Sequence, residues 1–190
     1  MANRELFPFD SLLAQVESTA AQARELAARL TSEQMAWAPP EGGWGVGQCF
    51  EHLIVVADSY DGRLARRLEE ARAQLDSPSL LGHRSTRIGR LFVNGVKPAN
   101  PRRFKTPGVF VPAPQPRPNV VEAFCERQAR IGELLEKARG IDLSAYKITS
   151  PASRLLRFNL GDALLLLVYH AERHLNQATR VTEHPEFPPG

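Results

Sequence analysis

The sequence predicts an all-α fold, a four-helix bundle formed as a single domain by residues 1–190. Three observations carry that expectation. Four segments place apolar residues at helical spacing, and each needs a partner face to cover its stripe. No alternating apolar–polar run is long enough to read as a strand. A length of 190 residues, with 43% hydrophobic and 24% charged residues, suits one domain with a core of its own.

The first helix is expected from about Asp10 to Leu30, capped by Asp10 or Ser11. Its stripe is Leu12, Leu13, Val16, Ala20, Ala23, Leu26, Ala27 and Leu30. Thr31-Ser32-Glu33-Gln34 reads as a turn with a cap of its own, and the prolines and glycines of AWAPPEGGWG break any helix after it. The second helix runs from about Val46 to Leu75, with Val46, Phe50, Leu53, Ala57, Tyr60, Leu64 and Leu68 on one face. The third spans about Val120 to Ala138, burying Val121, Phe124, Ile131, Leu134 and Leu135, with Gly140 as its stop. The fourth runs from about Leu160 to Thr182, with Asn159 as N-cap and Asp162 in the first turn, where a carboxylate suits the helix dipole.

Charge is unevenly placed. Residues 77–121 hold eight Lys or Arg and no Asp or Glu, although the whole chain is only +3. The same stretch holds eight of the 15 prolines, so residues 77–118 are expected to form a long, basic, Pro-rich insertion loop between the second and third helices. No apolar run approaches the roughly 20 residues of a membrane span, and MANRELFPFD lacks the apolar centre of a signal peptide. Two cysteines, Cys49 and Cys125, make no disulfide framework. A soluble, cytoplasmic protein with no membrane partner is the expectation.

The chemistry is expected at three of the five histidines. His170 and His174 stand four apart on the fourth helix, so both imidazoles can reach one point. His52 lies well inside the second helix. All three fall on the flanks of their apolar stripes, roughly a quarter to a third of a turn from the centre. Two helices side by side can therefore bring them together, and three neutral imidazoles with a free fourth position is the pattern of a catalytic metal site. Against this, an HxxxH pair also arises by chance, and a flank histidine is commonly just solvated. HAERH lacks the glutamate of H-E-x-x-H, which disfavours a zincin-type protease.

The neighbours read more plainly. Cys49, three before His52, is expected to be a small buried residue rather than a ligand. Trp44 should pack at the end of the bundle, with pocket lining as the lesser reading. Glu172 points away from the two ligands in its segment, which disfavours a base role, and Gln177 either orients a ligand or faces a partner. His83, His184, Arg173 and Arg180 read as solvated surface residues.

Two segments resemble a known family. GGWGVGQCFEHLIVVADSY resembles the W-S-x-x-x-x-x-x-H-L start of the second helix in the DinB superfamily. FNLGDALLLLVYHAERHLNQATRV is similar to that family's last helix, where H-x-x-x-H-L-x-Q follows an S/N-L-x-D start. The resemblance implies a four-helix bundle of DinB type, a metal held by His52, His170 and His174, and a homodimer. Ser150-Pro151 departs from the His-Pro of many relatives, and Gly45 stands where Ser or Thr often caps the second helix. The implied cofactor is a divalent transition metal, zinc or nickel first and iron or manganese after them.

Thiol S-transfer and metal-dependent hydrolysis are both activities of the resembled family. The expectation is a metal-dependent transferase whose small-molecule substrate is a low-molecular-weight thiol, with the basic loop holding its carboxylates. The alternatives are a hydrolase using a metal-bound water, and a non-catalytic binding protein whose basic loop contacts an acidic partner or nucleic acid. Nucleic acid is disfavoured: the loop has only Phe92, Phe104 and Phe110 as aromatics and no recognised binding module. No catalytic residue beyond the metal ligands is singled out.

Overall fold

The structure, a computed structural model, describes residues 6–75, 83–100 and 105–190. Parts of the expected loop, with Pro78, Pro101, Arg102, Arg103 and Phe104, lie outside the described residues. The described chain is mostly helical. Its α-helices are α1 (Phe9–Ala27), α2 (Ser32–Ala36), α3 (Val46–Ala73), α4 (Arg87–Val96), α5 (Val120–Ala138) and α6 (Leu160–Val181). A two-stranded antiparallel hairpin, β1 (Lys147–Thr149) and β2 (Arg157–Asn159), precedes α6.

The four long helices bury each other's stripes: α1 and α3 each pack against both α5 and α6. One part of the core gathers Leu64, Leu68, Leu134, Leu135, Leu160 and Leu164. A second gathers Phe50, Ile54, Val121, Phe124 and Leu175 around the start of α3. Full burial of each such side chain is worth about 1.5–3 kcal/mol.

Local chemistry sets the helix ends. No side chain caps α1; it starts after Pro8, whose carbonyl accepts from Leu12 N–H at 3.0 Å, so neither Asp10 nor Ser11 is the cap. The expected turn at Thr31 is the cap of α2: Thr31 Oγ1 accepts from Gln34 N–H at 3.2 Å, and Gln34 Oε1 accepts from Thr31 N–H at 2.9 Å. At α3, Gly45 has no side chain to offer, but Gln48 Oε1 accepts from its N–H at 3.0 Å. Glycine is required there because a Cβ would sit 1.9 Å from the Trp37 carbonyl oxygen. Asn159 caps α6 as expected, its Oδ1 accepting from Asp162 N–H at 2.8 Å. Gly140, past the end of α5, takes φ +78°, the left-handed conformation that ends a helix.

Two features depart from the expectation. The basic segment is not one continuous loop, because it contains α4 and a 3-10 turn at Gly108–Phe110. Thr86 Oγ1 caps α4 from Gly89 N–H at 2.8 Å, and Asp162 Oδ2 in turn accepts from Thr86 N–H and Oγ1–H at 3.0 and 2.9 Å. Val93 is buried, and the Phe92 ring meets Phe158 edge-on at 5.5 Å, so α4 packs on α6 and β2. Two interior glycines and the surrounding prolines hid this helix. The hairpin is the second departure. Its strands are three residues each, too short for a period-2 test, yet Ile148 and Phe158 pair across it and both face the core. No described helix is long and apolar enough to cross a membrane.

Candidate metal centre

His52 comes from the second turn of α3, and His170 and His174 from consecutive turns of α6. Packing α3 on α6 brings the three rings together, with centroids 4.5–5.0 Å apart. One ring nitrogen from each lies within 4.8 Å of the others, and His52 Nε2 is 2.8 Å from His170 Nε2. His52 and His174 are buried, at 3% and 9% exposure; His170 is half-buried.

The protonation pattern follows from hydrogen bonding. His52 Nδ1 is 2.6 Å from the Phe110 carbonyl oxygen. A carbonyl only accepts, so Nδ1 carries the proton and the lone pair of neutral His52 is on Nε2, facing the cluster. Burial pulls His52 below its ordinary value, the Phe110 bond opposing it. Burial, with His174, His52 and Arg173 nearby, holds His170 well below. Burial, then the charge of His52, brings His174 to about 3, with the Gln177 side chain acting in the opposite direction. All three imidazoles are therefore neutral at pH 7.

Three neutral imidazoles present three N–H groups and three lone pairs. One N–H is taken by Phe110, and the buried Nδ1 atoms of His170 and His174 have no hydrogen-bond partner. Hydrogen bonding within the protein therefore leaves the cluster under-satisfied, with the His52 lone pair facing the His170 ring nitrogen at 2.8 Å. Three neutral imidazoles this close are a donor set that suits a transition metal, and the cluster can hold one. Among the described residues, no carboxylate or thiolate joins it.

Trp44 does more than pack at the end of the helices: its ring lies 4.5 Å from His52 and 5.6 Å from His174, walling the cluster. Cys49 is fully buried and burial pushes its thiol up to about 12, so it is an inert core residue. The Glu172 carboxylate accepts from Gln15 of α1, away from the cluster. Arg180 is exposed as expected. Arg173 is not simply a surface residue; its Nη1 donates to the carbonyls of Asn100 and Lys97 at 2.5 and 3.2 Å, tying the end of α4 to α6. His83 is largely buried, with Nε2 3.4 Å from Asp162 Oδ1, and His184 Nε2 lies 2.9 Å from Glu41 Oε1. Neither histidine is merely solvated.

Sequence reasoning missed Phe110 and the Glu51–Arg117 pair beside it. Glu51 is 3% exposed. It accepts from Arg117 N–H and Nε at 2.7 and 2.8 Å through Oε1, and from Nη2 at 2.9 Å through Oε2. Burial pushes the Glu51 carboxyl up, but the Arg117 bonds and charge outweigh it and leave it below its ordinary value. The available signal was an acid flanked by Phe50 and His52 in a buried helix, which needs a base from elsewhere in the chain.

The sequence model of the DinB superfamily matches residues 15–178. The chain belongs to the DinB superfamily. Neither a curated protein nor a solved structure matches it. The two departures from the DinB pattern now have physical settings. Gly45 answers the close Trp37 carbonyl. Ser150 is buried with its Oγ 3.2 Å from the Tyr60 hydroxyl, a small polar pair under the hairpin.

Proposed function

We propose that this DinB-superfamily protein is a metal-dependent enzyme that activates a low-molecular-weight thiol for S-transfer at a centre held by His52, His170 and His174. The observation supporting the reading is the convergence of three neutral imidazoles with no carboxylate among them. A divalent transition metal bound there, zinc or nickel first, would supply a Lewis-acidic position at which a thiol loses its proton near neutral pH. A free thiol has a pKa of about 8.5 and needs only a small push; water, brought from about 15.7 to about 7 at a zinc held by three imidazoles, is the competing nucleophile, and hydrolysis is therefore the second reading. Glu172, the acid between the two α6 histidines in sequence, is turned to Gln15.

The chain's own contribution is orientation and exclusion of water. Phe110 holds His52 with its lone pair inward, the α6 backbone fixes His170 and His174 one turn apart, and Trp44 closes one side with an aromatic wall. The four long helices are read as a DinB-type bundle that acts as a homodimer in the cytoplasm. Light scattering on the purified protein tests the dimer.

The functional test is a transfer assay with the metal-loaded protein, a panel of small thiols and an electrophile, run beside ester and amide hydrolysis assays. Turnover that needs both thiol and metal and is lost in His174→Ala is expected. Hydrolysis that proceeds without any thiol would replace this reading with a metal hydrolase.

A further inference from the structure

Residues 107–118 lie along the first half of α3, and four separate contacts hold them there. The Phe110 ring is buried and stacks on Tyr60 at a centroid distance of 6.5 Å. Gln48 Nε2 donates to the Pro114 carbonyl at 3.1 Å. Pro116 lies so close to Gly47 that a Cβ there would meet its ring carbons at 2.6 and 2.7 Å. Arg117 closes the far end with three bonds to the buried Glu51 carboxylate. Five prolines, at 107, 112, 114, 116 and 118, fix φ along this stretch and make it stiff. The one polar group it delivers to the histidine cluster is the Phe110 carbonyl, at His52 Nδ1.

We infer that residues 107–118 are a positioning strap for the metal centre, fixing His52 as the Nδ1–H tautomer with Nε2 directed at the ligand position. The inference rests on the reading that His52, His170 and His174 hold a metal. His52 is the ligand that needs such help. It comes alone from α3, whereas His170 and His174 are held in mutual register by one helix. A ring free to flip about its Cβ–Cγ bond presents the wrong nitrogen part of the time; a buried carbonyl at 2.6 Å removes that freedom. The contacts explain two further residue choices. Gly47 makes room for the strap, and Glu51, an acid beside a ligand, belongs to Arg117 rather than to the metal. Phe110 and Arg117 are positioning residues acting through His52.

The test uses the full-length, untagged protein and two readouts: zinc affinity by competition with a chromophoric chelator, and the His52 ring tautomer from long-range nitrogen–proton NMR of the metal-free protein. Phe110→Ala removes the ring anchor, and Arg117→Ala opens the clasp. Each is expected to weaken zinc binding roughly 10- to 100-fold and to turn the single His52 tautomer into a mixture. Phe110→Leu should restore both. Arg127→Ala, which breaks the exposed pair with Asp58, should change neither. Wild-type affinity and a single tautomer in Phe110→Ala and Arg117→Ala would overturn the strap. If Phe110→Ala does not fold, Arg117→Ala decides by the same two readouts. If the wild type binds no zinc, the metal reading falls, and the tautomer alone then decides the strap.

Discussion

At the scale of single residues, the histidines dominate because burial keeps them neutral. Unfolded, each would take up a proton near its ordinary value of 6.5; folded, His174 does so only at about 3. Below about pH 6.5 the unfolded chain therefore binds more protons than the folded one, and stability falls as pH drops through that window. The metal-free protein is expected to melt progressively lower between pH 7 and pH 4. His174→Leu should flatten that dependence, and thermal denaturation across the range checks it; an identical pH slope in the variant would contradict the burial argument. Between pH 6.5 and 8 zinc affinity should change little, since no proton has to leave the rings. The pairing of His170 with His174 was legible in the sequence because i, i+4 spacing is a property of any helix, whereas the approach of His52 depends on how α3 packs on α6. The His52 tautomer was not legible, since it depends on a backbone carbonyl from Phe110, 58 positions along the chain from His52.

At the scale of elements, glycine positions separate packing from propensity. Gly45 and Gly62 both belong to the α3 region, but a Cβ at Gly45 would strike the Trp37 carbonyl, while one at Gly62 would meet nothing within 4 Å. Gly45→Ala is expected to destabilise the protein by about 1–3 kcal/mol. Gly62→Ala should stabilise it by roughly 0.5–1 kcal/mol, the ordinary gain in a helix interior. Urea unfolding of both variants reads the two signs. Asn159→Ala should cost about 1–2 kcal/mol, because Asn159 both caps α6 and donates to the Arg84 carbonyl at 2.8 Å. The stripe from Val120 to Ala138 announced α5 residue for residue, and Asn159 announced the start of α6. α4 was illegible for the opposite reason. Gly89 and Gly95 are poor helix formers, and Gly89 is there because Asp162 Oδ2 would lie 1.9 Å from a Cβ. A demand set by α6 overrode local propensity.

At the scale of the whole molecule, the candidate metal centre joins parts of the chain far apart in sequence. α3 and α6 supply the rings, and the segment at 107–118 lies over them. A ligand that binds only this assembled arrangement stabilises all of it. At a free metal concentration about 100 times the dissociation constant, the gain is about 2.7 kcal/mol, which in a chain of this length raises the melting temperature by roughly 5–11 °C. Calorimetry with and without a chelator checks this, and no shift on loading would contradict a site bridging α3 and α6. The most direct measurement remains metal content by mass spectrometry on untagged wild type and His174→Ala. The account expects near-stoichiometric divalent transition metal in the wild type and its loss in the variant. A wild type that carries no metal, even after incubation with zinc and nickel, would contradict it.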